Sequence, residues 1–281
     1  MASRATHGRD GRRSNIIPLY GSSKVRLHGG EGYFRTMQVA VEVCVTSVEE
    51  AVAAERAGAD GVEVCSWLAS GGITPSSGLV DAVRTAVRIP ARVLVRPTTG
   101  GFVYGPPDIH ALLLDAEIYG GGAIGLVTGA LLEDGSINAD LIRSVKGLAP
   151  ESEITFHRAI DHSTDPMAIL AACLELGVER ILTSGGAASA VTGIPVLRQL
   201  MQAAGDSCQV AAAGGIDPDN VVQIVETTGV SEVHFAAQRR VTLDPGKVAL
   251  SSGSDAEFFT VAPDEGKIEG VMNALLKAGL R

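Results

Sequence analysis

Aromatic residues are scarce in this chain of 281 residues: they make up 4% of it, with a single tryptophan, whereas hydrophobic residues make up 46%. The core must therefore consist of aliphatic side chains and alanine, as expected where helices pack on a parallel sheet. The length is close to the roughly 250 residues of one (β/α)₈ barrel and exceeds the usual size of a single sandwich or bundle core. The composition favours one large α/β domain.

Long apolar runs and basic charge are also lacking. No run of about 18 apolar residues occurs, so we expect no transmembrane helix, and the N-terminus lacks the apolar segment of a secretory signal. The chain has 23 Lys and Arg against 32 Asp and Glu, a net charge of −9. Such a charge attracts neither nucleic acid nor an anionic membrane surface, so we expect neither as a partner.

Cysteines are too few for a disulfide framework, since there are only four: Cys44, Cys65, Cys173 and Cys208. In a chain of this length they indicate reduced thiols, which predicts a cytoplasmic location. The spacings contain no CxxC pair and no HExxH helix, so zinc has little support.

The first 36 residues differ in composition from the rest. They carry seven Lys and Arg against two acidic residues, together with six glycines and Pro18. A transit peptide has a similar composition; the alternatives are a disordered tail or a start codon upstream of the folded domain. We predict a basic, disordered extension over 1–36 and a single domain over 37–281.

From Met37 onward, short β-branched runs alternate with helical stretches eight times. The predicted strands are 38–45, 61–65, 91–96, 123–128, 153–158, 179–183, 208–213 and 231–236. The predicted helices are 47–57, 77–87, 107–119, 138–147, 165–176, 189–204, 218–227 and 265–278. Eight such units can close a parallel sheet and remove its edges, which predicts an α/β protein with the (β/α)₈ TIM-barrel fold.

An open, doubly wound sheet is the alternative fold. It calls for a glycine-rich phosphate fingerprint after the first strand, and residues 46–48 (Thr-Ser-Val) contain no glycine. Residues 237–264 form a long Ser-, Gly- and Asp-rich connection without clear structure, which is typical of a functional or mobile segment.

Polar residues occupy the strand ends, where TIM barrels carry their function. The candidate catalytic residues are Glu42, Glu63, Arg96, His157, Asp161 and His234. An unpaired buried charge costs several kcal/mol. The charges of four of these residues are therefore predicted to compensate one another. The four are Glu42, Glu63, Arg96 and His157. An inert network of salt bridges within the barrel is the alternative.

Glycine pairs follow several of the same strands. Paired glycines leave backbone N–H groups open to an anion, although they also make tight turns. The candidate ligand-binding residues are Arg96, Thr128, Arg158, Ser184, Gly185, Gly214 and Gly215. The pattern predicts a small anionic ligand, bearing phosphate or carboxylate, and implies no organic cofactor.

Two Glu-Val-Cys triplets, 42–44 and 63–65, stand 21 residues apart at the same phase of neighbouring strands. Adjacent strands lie about 4.8 Å apart, so inward thiols of Cys44 and Cys65 can share one soft ion, of which Cu(I) needs the fewest ligands. Two small buried apolar side chains are the alternative.

Several blocks of the sequence, in order, resemble the CutC family of copper-homeostasis proteins. They are EVCVTSVEEAVAAERAGADGVEVC and GGITPS within 42–76, LVTGAL and DG within 126–135, ITFHRAID (154–161), RILTSG (180–185), AAGGI (212–216) and EVH (232–234). The resemblance implies a (β/α)₈ barrel, a cytoplasmic location and self-association as a homodimer or homotetramer. It also implies Cu(I) binding by the cysteines that match Cys44 and Cys65.

One departure from the family pattern affects the rim of the pocket. Where relatives have Arg-Pro-Arg-Gly-Gly-Asp-Phe, residues 96–102 read Arg-Pro-Thr-Thr-Gly-Gly-Phe, with one cation and one carboxylate fewer. Anion preference is therefore expected to differ from that of relatives.

Two functions remain open from the sequence. The first is a copper homeostasis protein that holds Cu(I) through Cys44 and Cys65. The second is an enzyme in which Arg96 and the glycine loops hold an anionic metabolite while His157 or Glu63 moves protons. An imidazole near its ordinary pKa of about 6.5 suits that role as acid or base.

Overall fold

Parallel pairing of neighbouring strands organises the molecule. A computed structural model describes residues 38–121, 124–242 and 259–281. Its barrel strands are β1 (Ala40–Val45), β2 (Gly61–Val64), β3 (Ala91–Leu94), β4 (Gly125–Thr128), β5 (Ile154–Phe156), β6 (Arg180–Thr183), β7 (Gln209–Ala213) and β8 (Glu232–Ala236). They pair in chain order and β8 pairs with β1, so the sheet is a closed barrel and the predicted fold is confirmed.

A helix follows each strand, and all eight predicted helices are present. They are α1 (Val48–Arg56), α2 (Ser77–Ala86), α3 (Pro106–Gly120), α4 (Ala139–Leu148), α5 (Pro166–Leu176), α6 (Ile194–Ala204), α7 (Val221–Thr228) and α8 (Glu265–Lys277). Local chemistry sets their ends. The Asp165 carboxylate accepts from the backbone N–H groups of Met167 and Ala168 at the start of α5, and Gly177 ends that helix at φ 67°.

Alternation along the strands separates the core from the site. In β1, Val41, Val43 and Val45 belong to the aliphatic layer shared with the helices. Glu42 and Cys44 lie on the opposite face, which is the inside of the barrel. Polar side chains inside the barrel are therefore a direct consequence of the Glu-Val-Cys pattern.

The connection before α8 is more regular than predicted. Its ends form strands β9 (Gln238–Thr242) and β10 (Phe259–Pro263), which pair in antiparallel fashion. The expectation of a segment without clear structure is therefore wrong for these ends, because residues 17 or more apart in the chain pair with each other. Its middle, 243–258, lies outside the described residues, as does the predicted extension over 1–36. None of the described helices is long and apolar enough to cross a membrane.

Candidate functional site

A cavity of about 400 Å³ opens where the strands end and the βα loops begin. Nine of the residues predicted from the sequence line it: Cys44, Glu63, Cys65, Arg96, His157, Arg158, Gly214, Gly215 and His234. These side chains come from six different strands or the loops that follow them. A single space thus brings together thiols, a carboxyl group, imidazoles and guanidinium groups.

The two thiols are neighbours on one wall of the cavity. Cys44 lies on β1 and Cys65 directly follows β2, and their Sγ atoms are 3.3 Å apart. Gly72 folds over them at φ 84°, where a Cβ would lie 3.6 Å from Cys65 Sγ and 2.8 Å from the Leu94 side chain. The hydrogen bond with Cys65, followed by burial, raises the pKa of Cys44 well above its ordinary value, so this thiol holds its proton at neutral pH.

Glu63 and His234 complete a cluster with the thiols. One ligand atom from each of Cys44, Glu63 and His234 lies within 4.8 Å of the other two. Burial raises the pKa of Glu63, and its Oε2 atom has no hydrogen-bond partner among the described residues. We call Cys44, Glu63, Cys65 and His234 the thiol pole.

His234 is held in place from below by a carboxylate. Its Nδ1 atom lies 2.8 Å from Glu42 Oε1, which leaves Nε2 for the cavity side. Burial alone would lower the pKa of His234, but the carboxylates of Glu63 and Glu42 outweigh it, so the pKa is raised. Glu42 itself does not line the cavity.

Below the thiol pole, four charged side chains fill the barrel axis. Arg180 Nη2 donates to Glu42 Oε1 at 2.6 Å and to Glu232 Oε1 at 2.5 Å, and Arg92 Nη1 also donates to Glu42. All four side chains are at most 1% exposed. We call Glu42, Arg92, Arg180 and Glu232 the ion-pair floor. Burial alone would raise the pKa of Glu42, but Arg180 and Arg92 hold it well below the ordinary value.

The predicted compensation among Glu42, Glu63, Arg96 and His157 is therefore wrong. Glu42 pairs with Arg92 and Arg180. Arg92 is the second residue of β3 and Arg180 the first of β6, whereas Arg96 follows the end of β3. The sequence prediction considered polar residues at the strand ends only, and it missed these two arginines. Each arginine could have been recognised as a charged residue at an inward-facing position of an otherwise apolar strand.

Arg96 binds backbone carbonyls. Its Nη1 donates to Gly72 O and its Nη2 to Gly100 O, both at 2.8 Å, while the guanidinium carbon lies 4.9 Å from the centre of the Phe102 ring. These contacts fix the guanidinium against the cavity wall. They also tie together the loops that follow β2 and β3.

His157 is an uncharged imidazole. Burial, with a further contribution from the Arg96 charge, lowers the pKa of His157 to about 3, so the expected ordinary pKa is not met. Its Nδ1 atom accepts from the backbone N–H of Ala159 at 3.2 Å. The neutral ring must therefore carry its proton on Nε2.

The remaining predicted residues stand behind the cavity wall. Asp161 accepts from Thr183 Oγ1 at 2.6 Å, Gly186 N at 3.0 Å and Arg158 Nε at 2.8 Å. Two others bond within their own loop, Ser184 Oγ to Ala187 O and Gly185 N to Thr183 Oγ1, while Thr128 Oγ1 donates to Val95 O at the end of the neighbouring strand. They shape the loops and do not line the cavity.

Lys267 lines the cavity and was not predicted. It lies in the first turn of α8, 31 residues after the end of β8, and its Nζ donates to Ala236 O at 2.7 Å. Nothing in the strand pattern pointed to it, because the helix that carries it returns to the barrel after a long connection.

Comparison with known proteins agrees with the fold. The family model described as "CutC family" matches residues 39–239, most of the barrel. The chain belongs to the CutC family. Human and mouse relatives, both named copper homeostasis protein cutC homolog, are 42% and 45% identical over 247 residues, covering 84% of this chain and 89% of each relative.

Bacterial CutC proteins are similar as well. A CutC family protein of Glaesserella parasuis is 38% identical over 83% of this chain and 97% of its own. The crystal structure of a copper homeostasis protein CutC from Streptococcus agalactiae superposes with a TM-score of 0.67 at 25% identity, covering 70% of this chain and 98% of that one. The CutC assignment therefore rests on sequence and on fold.

Proposed function

We propose that this CutC family protein serves copper homeostasis by binding Cu(I) through Cys44 and Cys65. The observation that carries the proposal is the pair of sulfur atoms, 3.3 Å apart, on the wall of the cavity. Thiolates are soft ligands that select Cu(I), and two of them suffice for it. The names of the human and mouse relatives support a role in copper homeostasis.

The surroundings of the thiols support the same proposal. His234 offers a further nitrogen ligand next to Cys44, and Glu42 sets the orientation of its ring. Cys44 must release its proton to bind the ion, because thiolates rather than thiols are metal ligands. Copper affinity is accordingly expected to fall as the pH is lowered.

The proposal extends to where the protein works and how it assembles. Thiols used in this way require a reducing compartment, which supports the cytoplasm. Self-association as a homodimer or homotetramer is proposed from the resemblance to the CutC family.

Native mass spectrometry of anaerobically purified, copper-loaded protein tests these points together. We expect one Cu(I) per chain in the wild type and none in the double variant Cys44→Ala, Cys65→Ala. The matched control is Cys173→Ala, Cys208→Ala, because these two thiols are also buried but belong to the aliphatic core. Copper retained by the Cys44→Ala, Cys65→Ala variant contradicts the proposal. The same spectra report the number of subunits.

A second candidate function is an enzyme acting on a small anionic metabolite. It is favoured by the cationic and imidazole groups that line the same cavity, among them Arg96, Arg158 and His157. Glu63 and His234, whose pKa values are both raised, are the groups suited to moving protons. A metabolite retained in the native spectra supports this function, and spectra of wild-type protein without one oppose it.

A further inference from the structure

The cavity has a second pole whose chemistry is opposite to that of the thiols. Outside the thiol pole, the cavity lining includes Arg96, His157, Arg158, Lys267 and the Gly214–Gly215 turn, together with apolar side chains. The polar side chains among these offer hydrogen-bond donors, and three of them belong to residue types that carry positive charge. We call this set the anion pole.

Two donors of the anion pole are buried without a partner. His157 carries its proton on Nε2, and neither that atom nor Arg96 Nε has a hydrogen-bond partner among the described residues. His157 is 5% exposed and Arg96 is 4% exposed. A buried donor without an acceptor costs about 1–3 kcal/mol, so an oxygen-bearing ligand would stabilise both groups.

Lys267 brings a flexible cation to the same cavity, beside the end of β8. Its Nζ lies 5.2 Å from the centre of the Phe235 ring and donates to Ala236 O, which leaves two further N–H donors. No carboxylate of the described residues lies within 4.0 Å of Nζ. Burial lowers the pKa of Lys267, although Asp217 and Asp264 act in the opposite direction. A bound anion would offset the cost of burial.

Arg158 and the glycine turn form the rest of the pole. Arg158 is anchored by Asp161 and by Ser184 Oγ, to which its Nη2 donates at 3.0 Å. Gly214 adopts φ 96°, and a Cβ there would lie 3.5 Å from Arg158 Nη2. The absence of a side chain lets the guanidinium and the bare turn share one surface, as in anion sites built from backbone N–H groups.

We propose that the anion pole binds the phosphate or carboxylate group of a small organic anion, with Lys267 as its principal mobile cation. A cavity of about 400 Å³ suits a small metabolite. The rest of the ligand extends toward Glu63 and the thiols. This inference rests on the second candidate function and deepens it, since it assigns the anionic group of the substrate to named residues, Lys267 among them; it does not depend on copper.

Isothermal titration calorimetry on the full-length, reduced, metal-free protein tests the proposal at low salt, with inorganic phosphate and malonate as separate probes. We expect saturable binding of at least one probe. Lys267→Met keeps the apolar stem of the side chain and removes its charge, and it should weaken that binding about tenfold or more. Lys277→Met, on the exposed last turn of α8, is the matched control and should leave it unchanged.

The pattern of phosphate and malonate binding identifies the anionic group or overturns the proposal. Binding of phosphate alone assigns a phosphoryl group, and binding of malonate alone assigns a carboxylate. No binding of either probe, or equal binding by wild type and Lys267→Met, overturns the proposal. If Lys267→Met does not fold by circular dichroism, Lys267→Gln serves instead, because its amide can still donate to Ala236 O. Calorimetry measures anion binding and not turnover. The anion pole and the enzymatic function can therefore be supported or contradicted separately.

Discussion

At the scale of single residues, His157 shows how burial changes the chemistry of a side chain. An exposed imidazole shares its proton with water near neutral pH, whereas His157 is uncharged and has one defined tautomer. It therefore suits the donation of a hydrogen bond better than the transfer of protons. Its type and position were predictable from the sequence, but its protonation state depends on Arg96 and on enclosure by residues distant in the chain.

The pH dependence of stability tests the state of His157. Its pKa is about 3 in the folded chain and about 6.5 when unfolded, so the unfolded chain binds more protons between these values. The contribution to stability is complete above pH 6.5 and is lost as the pH falls toward 3. Lowering the pH from 7 to 5.5 should cost about 1 kcal/mol through this residue.

Urea unfolding of wild type and His157→Gln at both pH values measures this cost. The variant lacks the titrating group but shares all others, so the difference in unfolding free energy between the two proteins should shrink by about 1 kcal/mol at pH 5.5. A difference that stays constant between pH 7 and 5.5 would show that the imidazole is not buried in its neutral form.

At the scale of elements, the strands and helices were predictable because their patterns are local. The Glu-Val-Cys repeats reveal alternation within a strand, and Asp165-Pro166 marks the start of α5. The pairing of β9 with β10 was not predictable, because 16 residues separate them. Ion pairs such as Arg180 with Glu42 also escaped prediction, since they join strands on different sides of the barrel.

Gly129 and Gly147 differ in the space around them, so replacing each by alanine should have opposite effects on stability. An alanine Cβ at Gly129 would lie 2.4 Å from His157 Nδ1, whereas at Gly147, in α4, it would meet no atom within 4 Å. We expect Gly129→Ala to destabilise the protein by about 1–3 kcal/mol through overpacking. Gly147→Ala should stabilise it by about 0.5 kcal/mol through helix propensity. Urea unfolding measures both, and equal effects would contradict the packing described around His157.

At the scale of the whole molecule, the ion-pair floor joins opposite sides of the barrel. Glu42 from β1 contacts arginines of β3 and β6, and Arg180 of β6 contacts Glu232 of β8. Glu42→Gln removes the charge that both arginines share, and buried cations without a full partner are costly. We expect a loss of about 3–5 kcal/mol in the free energy of unfolding.

The matched control for the floor is an ion pair on the surface. Asp140 and Arg143 pair across one turn of α4 with side chains 94% and 63% exposed, so Asp140→Asn should leave the stability unchanged. Denaturation midpoints of the two variants give the comparison. Similar midpoints would show that the floor contributes no more than a solvated pair.

Because the ion-pair floor fills the barrel axis below the thiol pole, the cavity among the described residues opens at the strand ends, on the side of the βα loops. Cys44 lies on β1 and Cys65 directly follows β2, whereas Arg158 and the Gly214–Gly215 turn belong to the segments that follow β5 and β7. With both proposed ligands bound, the copper ion would occupy the strand side of the cavity and the organic anion the loop side. An organic anion held by the anion pole would then separate the proposed copper ion from solvent, and it should lengthen the residence time of copper.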